Sequence, residues 1–268
     1  MGVQRAIAML EKAAREGGDL EALGNVVHNE RVMQKLREMG VKVIQSPEDV
    51  KSKVVAISSH GVSPSIEAEL RARKLIVVDT TCPFVRRAQI AARRLAEAGF
   101  WVVVYGEADH EEVKGILGWA QGKGIATLEV TPFIESKDVP CRLGILSQTT
   151  QIPENFIKFA KEMIEITFKK DSEIRIIDTI CHDIRKRQIC SLDLARKVDL
   201  MLVVGGRSSA NTRRLKELCS AVTETYQIDS TTGINRNWLE GKKHIGVTSG
   251  TSTSEESIEE IVKYLKEE

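Results

Sequence analysis

Residues 75–83 read LIVVDTTCP and residues 174–182 read IRIIDTICH, so one pattern occurs twice in the chain. In both copies a β-branched run ends in Asp-Thr-x-Cys, and a basic amphipathic helix is predicted to follow. Past Cys82 and Cys181 the two copies still match, with an aliphatic residue at +3, basic residues at +4 and +5, and Gln-Ile at +7 and +8. We therefore expect two thiols at equivalent points of two similar units, where the carboxyl end of a strand meets the start of a helix.

The first residues of the chain match a third, incomplete copy of this pattern. With the same offsets, Val3 and Arg5 stand at +3 and +5 of a cysteine that would lie immediately before Met1. Apolar residues recur at helical spacing from Val3 onward, which predicts that the chain opens on a helix. A complete repeat would place a strand and a cysteine upstream of Met1.

Length, composition and charge exclude several classes of protein. The chain has 268 residues, of which 42% are hydrophobic, and this is enough for a sizeable core. A formal net charge of +1 creates no overall field that would attract nucleic acid or an anionic membrane. Neither a signal-peptide pattern nor an apolar run of about 18 residues is present. The sequence therefore predicts a cytoplasmic protein without nucleic-acid or membrane partners.

The cysteines and the basic clusters have simple interpretations. An odd count of five cysteines, without a Cys-x-x-Cys pair, favours thiols or metal ligands over a disulfide framework or a zinc ribbon. Cys141, Cys190 and Cys219 lie outside the repeated pattern and are interpreted as core or incidental thiols. Clusters such as Arg86-Arg87 lie on predicted helices, where a solvated face is the simplest interpretation.

Short β-rich runs alternate with helical runs along the chain. Eight strands are predicted, at residues 41–44, 54–57, 75–78, 101–104, 143–146, 174–177, 200–204 and 244–247. Helices of about 10–15 residues separate many of them, which is typical of parallel α/β sheets. The repeat divides the chain into three similar units near residues 1–81, 82–178 and 179–268. The predicted fold class is α/β, with three pseudo-repeated units and parallel sheets around one central cavity.

Polar residues follow the predicted strands in each unit. They include His28 and His60 in the first unit, His110 and Thr149 in the second, and Ser209, Asn211 and Ser252 in the third. Ligands of parallel sheets bind beyond the carboxyl ends of the strands, so these loops are expected to line the cavity. Backbone N–H groups before a helix, together with histidines that can carry charge, suit a phosphate or diphosphate. Ordinary helix N-capping is the alternative for any single loop.

The ordered set of motifs resembles one enzyme family. The motifs are GVQRA at residues 2–6, VVHN at 26–29, SHGV at 59–62, DTTCP at 79–83, HEEVKG at 110–115, QTT at 148–150, DTIC at 178–181, SSANTRRL at 208–215 and GVTSGTS at 246–252. Each motif is weak alone, but the order is specific and spans nearly the whole chain. The set resembles 4-hydroxy-3-methylbut-2-enyl diphosphate reductase, the LytB/IspH family, which completes the methylerythritol phosphate route to isoprenoids.

The resemblance implies a fold, a cofactor and a reaction. In this family three α/β units form a trefoil around a central [4Fe-4S] cluster, which one cysteine from each unit holds. Cys82 and Cys181 match two of these ligands, and the third would be the cysteine before Met1. The iron without a protein ligand acts as a Lewis acid on a substrate hydroxyl. The implied reaction is the reductive dehydroxylation of (E)-4-hydroxy-3-methylbut-2-enyl diphosphate to isopentenyl and dimethylallyl diphosphate, with ferredoxin or flavodoxin as electron donor.

The resemblance also implies roles for individual residues. Glu112 matches the family's acid, and Thr149 would help it to relay protons. Nearby phosphate charge is expected to favour the protonated form of Glu112. The residues that match the substrate-binding groups are His28, His60, His110, Thr149, Ser209, Asn211 and Ser252. Ala210 departs from the family pattern, because it replaces the second serine of Ser-Ser-Asn. Without the resemblance, Glu112 would be interpreted as a solvated acid in the first turn of a helix.

Two other functions stay open at this point. One is a diphosphate-binding relative that has lost its cluster and would tolerate replacement of Cys82 and Cys181. The other is an iron–sulfur enzyme of the dehydratase type, which would use the open iron without net reduction. Glu112 and the QTT motif at residues 148–150 argue against both. A protein that only binds its ligand needs no acid beside it, and the diphosphate loops indicate a prenyl substrate.

Overall fold

The computed structural model describes residues 2–16, 19–27, 29–136, 138–169 and 171–267. The strands are β1 Leu20–Leu23, β2 Val41–Ile44, β3 Val54–Ile57, β4 Ile76–Asp79, β5 Trp101–Tyr105, β6 Gly124–Thr127, β7 Arg142–Ser147, β8 Glu173–Ile177, β9 Leu200–Val204, β10 Glu224–Ile228 and β11 Ile245–Ser249. The helices are α1 Gly2–Arg15, α2 Glu30–Glu38, α3 Pro64–Ala72, α4 Pro83–Glu97, α5 Glu111–Trp119, α6 Thr131–Glu135, α7 Pro153–Thr167, α8 His182–Ala195, α9 Ala210–Ser220 and α10 Glu255–Glu267.

The strands form three parallel sheets that repeat one order. The orders are β2-β1-β3-β4, β6-β5-β7-β8 and β10-β9-β11, so the first strand of each sheet along the chain pairs with the next two. The predicted α/β class with three parallel sheets is confirmed. Each sheet takes its strands from one of the three sequence ranges proposed above, although the boundaries at residues 81/82 and 178/179 stay a prediction.

The chain separates into two compact units. The first contains Met1–Val26 and Leu36–Cys181, and it holds the sheets β1–β4 and β5–β8. The second contains Val27–Lys35 and His182–Glu268, and it holds the sheet β9–β11. None of the described helices combines the length and the apolar character that a bilayer-spanning segment needs.

The central strand β5 shows why these runs are apolar on both faces. Side chains alternate along a strand, so Val102 and Val104 pack in a cluster with residues of α4 and α5. Val103 points to the other face and packs in a cluster with Phe156 and Met163 of α7. Because helices cover both faces of the sheet, a continuous valine run is buried completely. This packing holds the starts of α4 and α5, where Cys82 directly precedes α4 and Glu112 lies in the first turn of α5.

All eight predicted strands form, with ends that differ by at most two residues. Three further strands, β1, β6 and β10, are absent from the sequence-based expectation. The clearest case is β1, whose sequence LEAL consists of good helix formers. Its Glu21 is buried, and the carboxylate accepts hydrogen bonds from the backbone N–H groups of Lys51 and Ser52 at 2.7 and 2.9 Å. These bonds satisfy the charge that would otherwise oppose burial of the strand.

Candidate active site

Cys82 lies where β4 gives way to α4. It is the N-cap residue before Pro83, the first residue of the helix. Its backbone N–H donates to the carbonyl oxygen of Ser59 at 3.0 Å. Burial raises the pKa of the Cys82 thiol, and the positive charge of Arg5 acts in the opposite direction. The thiol is thus partly buried at a helix N-terminus, with a guanidinium near it.

Cys181 occupies the equivalent position after β8. It precedes α8, it is buried, and its backbone N–H donates to the carbonyl oxygen of Thr149 at 2.9 Å. The aspartate of each motif also acts in the same way, because Asp79 accepts from the N–H of Thr81 at 2.9 Å and Asp178 accepts from the N–H of Ile180 at 3.0 Å. The predicted equivalence of the two cysteine segments is therefore present in the backbone hydrogen bonds.

The threonine of the repeated Asp-Thr-x-Cys motif anchors each segment to the neighbouring strand. The Thr80 hydroxyl donates to the carbonyl oxygen of Ile57 at the end of β3. The Thr179 hydroxyl donates to the carbonyl oxygen of Ser147 at the end of β7. Both threonines are completely buried, so the hydroxyl groups need these partners. The motif therefore has a structural role in addition to carrying the cysteine.

Glu112 is buried, so it is not the solvated acid that its place in a first helical turn suggests. It is 3% exposed in α5, and its two carboxylate oxygens accept from the Thr149 N–H at 2.7 Å and from the Thr149 hydroxyl at 2.9 Å. Burial raises the pKa of Glu112 to about 7, although both bonds from Thr149 lower it. Burial alone therefore raises this pKa, and the added effect of a nearby phosphate charge stays a prediction. An acid with this pKa can donate a proton near neutral pH.

His60 and His110 lie against each other with ring centroids 5.6 Å apart, in an edge-to-face arrangement. His110 is the N-cap residue of α5, and its Nδ1 accepts from the backbone N–H of Glu112 at 3.1 Å. In a neutral imidazole an accepting Nδ1 places the proton on Nε2, which can then donate to an anion. The third histidine that was predicted to bind substrate, His28, lies outside the described residues.

Ser209, Asn211 and Ser252 belong to the second compact unit. Ser209 is the N-cap residue of α9, and its hydroxyl accepts from the backbone N–H of Thr212 at 3.4 Å. Ser252 is buried, and its carbonyl oxygen accepts from Nδ2 of Asn29 at 2.7 Å. Asn211 is 3% exposed, yet neither polar atom of its side chain has a hydrogen-bond partner among the described residues. A buried amide in this state is suited to hold a polar ligand.

Gln89 was not predicted as a site residue, although it supports the loop that carries His60. It is completely buried on α4, and its Nε2 donates to the carbonyl oxygen of Val62 at 3.4 Å. Gly61 has a φ of +67°, and a Cβ at this position would lie 2.4 Å from the same Nε2. Only glycine fits this approach. The sequence signal was the shared Gln at +7 of both cysteines.

The thiols of Cys82 and Cys181 are suited to hold part of an iron–sulfur cluster. Among the residues that the structure describes, no three His, Cys, Asp or Glu side chains form a metal-binding group. Of the five free cysteines in the described part of the chain, Cys82 and Cys181 are presented alike, each directly before a helix and each with its backbone N–H bonded to a carbonyl oxygen. Thiolates are the ligands that iron–sulfur clusters use, so the donor set fits two positions of such a cluster.

Comparison with known proteins gives the family. The sequence model of a family described as LytB protein matches residues 1–266. The chain belongs to the LytB family. A 4-hydroxy-3-methylbut-2-enyl diphosphate reductase of Dehalococcoides mccartyi is 53% identical to this chain over 264 residues, which are 98% of this chain and 93% of the relative. The reductase of the same name from Geobacter metallireducens is 40% identical over 269 residues, with 99% and 93% of the two chains covered.

A solved structure agrees with these sequence relationships. The E-1-hydroxy-2-methyl-but-2-enyl-4-diphosphate reductase of Plasmodium falciparum matches with a TM-score of 0.92 and 25% sequence identity, over 99% of this chain and 84% of that one. The family membership that the ordered motifs indicated is confirmed. The roles of the individual residues stay predictions, since neither sequence identity nor fold assigns them.

Proposed function

We propose that this member of the LytB family catalyses the reductive dehydroxylation of (E)-4-hydroxy-3-methylbut-2-enyl diphosphate to isopentenyl and dimethylallyl diphosphate. The observation that carries the proposal is the buried Glu112, whose pKa of about 7 makes it a proton donor at neutral pH. The carbonyl oxygen of its partner Thr149 accepts a hydrogen bond from the N–H of Cys181, so Thr149 is bonded both to the acid and to the backbone of the cysteine. The relatives reported above are named as this reductase, and the one from Dehalococcoides mccartyi is 53% identical to this chain.

The proton-transfer part of the reaction belongs to Glu112 and Thr149. Loss of an allylic hydroxyl as water consumes one proton, and formation of the new C–H bond consumes another. Glu112 supplies the proton in its neutral form, and the hydroxyl of Thr149 lies 2.9 Å from the carboxyl oxygen and relays it. Burial excludes water from the pair and raises the pKa of Glu112, so that a substantial fraction of the acid keeps its proton at neutral pH.

Cys82 and Cys181 hold the cofactor in this proposal. A [4Fe-4S] cluster would pass on the two electrons one at a time and would offer a Lewis-acidic iron for the substrate hydroxyl. The sequence pattern implies a third thiolate from a cysteine before Met1. The electrons come from a ferredoxin or flavodoxin, and the cytoplasmic location predicted above stays part of the proposal.

The polar loops bind the substrate diphosphate. The proposed groups are His28, His60, His110, Thr149, Ser209, Asn211 and Ser252. Support comes from the Nε2 proton of His110 and from the unpartnered buried amide of Asn211. Both can donate to phosphate oxygens, and Ser209 heads a helix whose first N–H groups favour negative charge. We expect Asn211→Ala to raise KM far more than it lowers kcat.

The test is turnover and iron content of anaerobically purified protein. With reduced methyl viologen as electron source, substrate should give both isomeric five-carbon diphosphates by chromatography coupled to mass spectrometry, and Cys181→Ser should lose iron and activity together. Cys190→Ser is the matched control, because this exposed cysteine lies on α8, the helix that follows Cys181, and should be silent. Turnover without a reductant would support the dehydratase alternative. Diphosphate binding without iron would support the cluster-less one.

A further inference from the structure

Two arginines of the repeated pattern each contact the backbone directly before a cysteine. Nη1 of Arg5 donates to the carbonyl oxygen of Thr81 at 3.3 Å, and Thr81 precedes Cys82. Nη2 of Arg87 donates to the carbonyl oxygen of Ile180 at 3.2 Å, and Ile180 precedes Cys181. Both arginines occupy the +5 position of their own copy of the pattern. The +5 residue of one copy thus reaches the cysteine segment of the next copy.

These contacts act on the peptide group that contains the cysteine nitrogen. The carbonyl of Thr81 and the N–H of Cys82 belong to one planar peptide, and this N–H donates to Ser59 at 3.0 Å. The carbonyl of Ile180 and the N–H of Cys181 form the equivalent peptide, whose N–H donates to Thr149 at 2.9 Å. Each plane is therefore held at both edges, by an arginine on the oxygen and by a carbonyl on the nitrogen. A plane held in this way also fixes the N–Cα bond of the cysteine, which carries its side chain.

The charges of these two arginines are not cancelled by carboxylates among the described residues. The polar partners of Arg87 are the carbonyl oxygens of Asp178 and Ile180, and its guanidinium also lies 5.7 Å from the ring centre of Phe84. The adjacent Arg86 differs, because it forms ion pairs with Glu67 and Asp79, each at 2.7 Å. A guanidinium stays charged at any pH of interest, so Arg87 places a permanent positive charge next to the Cys181 segment.

We propose that Arg5 and Arg87 are positioning residues, which orient the peptides of Cys82 and Cys181 and supply positive charge beside a cluster bound there. The positioning part follows from the hydrogen bonds alone. The electrostatic part rests on the cluster of the proposed function, since positive charge near an iron–sulfur cluster favours its reduced form and raises its reduction potential.

The positioning part predicts a crossed pattern of amide hydrogen exchange in the full chain. Arg87→Gln should speed exchange of the Cys181 N–H about fivefold and leave the Cys82 N–H unchanged. Arg5→Gln should do the reverse, and the lysine variants should restore part of the protection. Arg94→Gln is the matched control, because it removes an exposed arginine from the same helix two turns further along. Exchange unchanged at both amides, or faster at both in every variant, would overturn the positioning role.

The electrostatic part is measured by a redox titration of the anaerobic protein, followed by electron paramagnetic resonance. Arg87→Gln should shift the midpoint potential to more negative values, while Arg87→Lys and Arg94→Gln keep the wild-type value. An unchanged potential in Arg87→Gln contradicts this part even if the exchange pattern is found. If the wild-type protein binds no iron, the proposed function fails, and a crossed exchange pattern still supports the positioning role.

Discussion

Replacing Glu112 by glutamine keeps the shape of a buried side chain and removes its exchangeable acid proton. The glutamine oxygen can still accept from the Thr149 N–H, which now bonds to the carboxylate at 2.7 Å. We therefore expect the fold to persist and kcat to fall about 10²–10⁴-fold, as for other positioned general acids. Glu111→Gln is the matched control, since this exposed neighbour pairs only with Lys114 in the described structure and should leave kcat unchanged.

The pH dependence gives the same residue a second test. Burial raises the pKa of Glu112 to about 7, and only the protonated form can donate. The wild-type rate should thus decline as pH rises through about 7, and the residual rate of Glu112→Gln should lack this decline. A wild-type rate that is constant between pH 6 and pH 8 in the chemical step would contradict Glu112 as the acid.

The stability of the protein should depend on the same pKa. In the unfolded chain Glu112 ionises near 4.5, while in the native protein it keeps its proton up to about 7. Between these values the native state binds more protons, so stability is fully present below about 4.5 and is lost as pH rises through about 7. At about 1.4 kcal/mol per pH unit, the loss from this group is about 3 kcal/mol.

Urea denaturation at pH 4.5 and pH 8 measures this loss. From pH 4.5 to pH 8 the free energy of unfolding of the wild type should fall by about 3 kcal/mol more than that of Glu112→Gln. Glu111→Gln should behave as the wild type does. An equal fall in Glu112→Gln and the wild type would refute the elevated pKa, and with it the physical basis of the proposed proton donor.

Two further substitutions test the surroundings of the acid and of the diphosphate. Thr149→Val removes a hydroxyl whose hydrogen bond to Glu112 lowers the pKa of that acid. Without this bond the pKa of Glu112 should rise, so the decline in the kcat profile should move to higher pH. A shift to lower pH would contradict this account. Ala210→Ser adds a hydroxyl at the first residue of α9. A hydrogen bond from this hydroxyl to the charged phosphate should contribute about 1–2 kcal/mol, so KM should fall about 5–30-fold with kcat nearly unchanged. An unchanged KM would show that this hydroxyl does not reach the diphosphate.

Local sequence predicted the strands in which nearly every residue is apolar. In β5 and β9 every central position is aliphatic, and a short aliphatic run between two helices has few alternatives to a buried strand. In β1 the residues favour a helix, and Glu21 opposes burial until the N–H groups of Lys51 and Ser52 meet it. These partners lie about 30 residues away, so a local window does not contain the reason for the strand.

The candidate site also contains residues that the sequence located and residues whose contacts it did not predict. The repeat located Cys82 and Cys181, because identical offsets require no knowledge of distant contacts. The burial of Glu112 was not predictable, since its partner Thr149 is 37 residues away at the end of another strand. The arginine clusters were interpreted as solvated faces of helices, yet Arg87 donates to a carbonyl 93 residues away. Charge on a helix face therefore says little about its partners until the neighbouring segment is in place.

Each sheet is built from one continuous part of the chain, and this bears on how the protein folds during synthesis. The last strand of the first sheet ends at Asp79, and the second sheet begins at Trp101. At roughly 5–20 residues per second, a ribosome needs about 1–4 s to make the segment between them. Small mixed α/β structures pair their strands in less time than this. The strands of the first sheet can thus find each other before similar strands of the second sheet exist to compete for their edges.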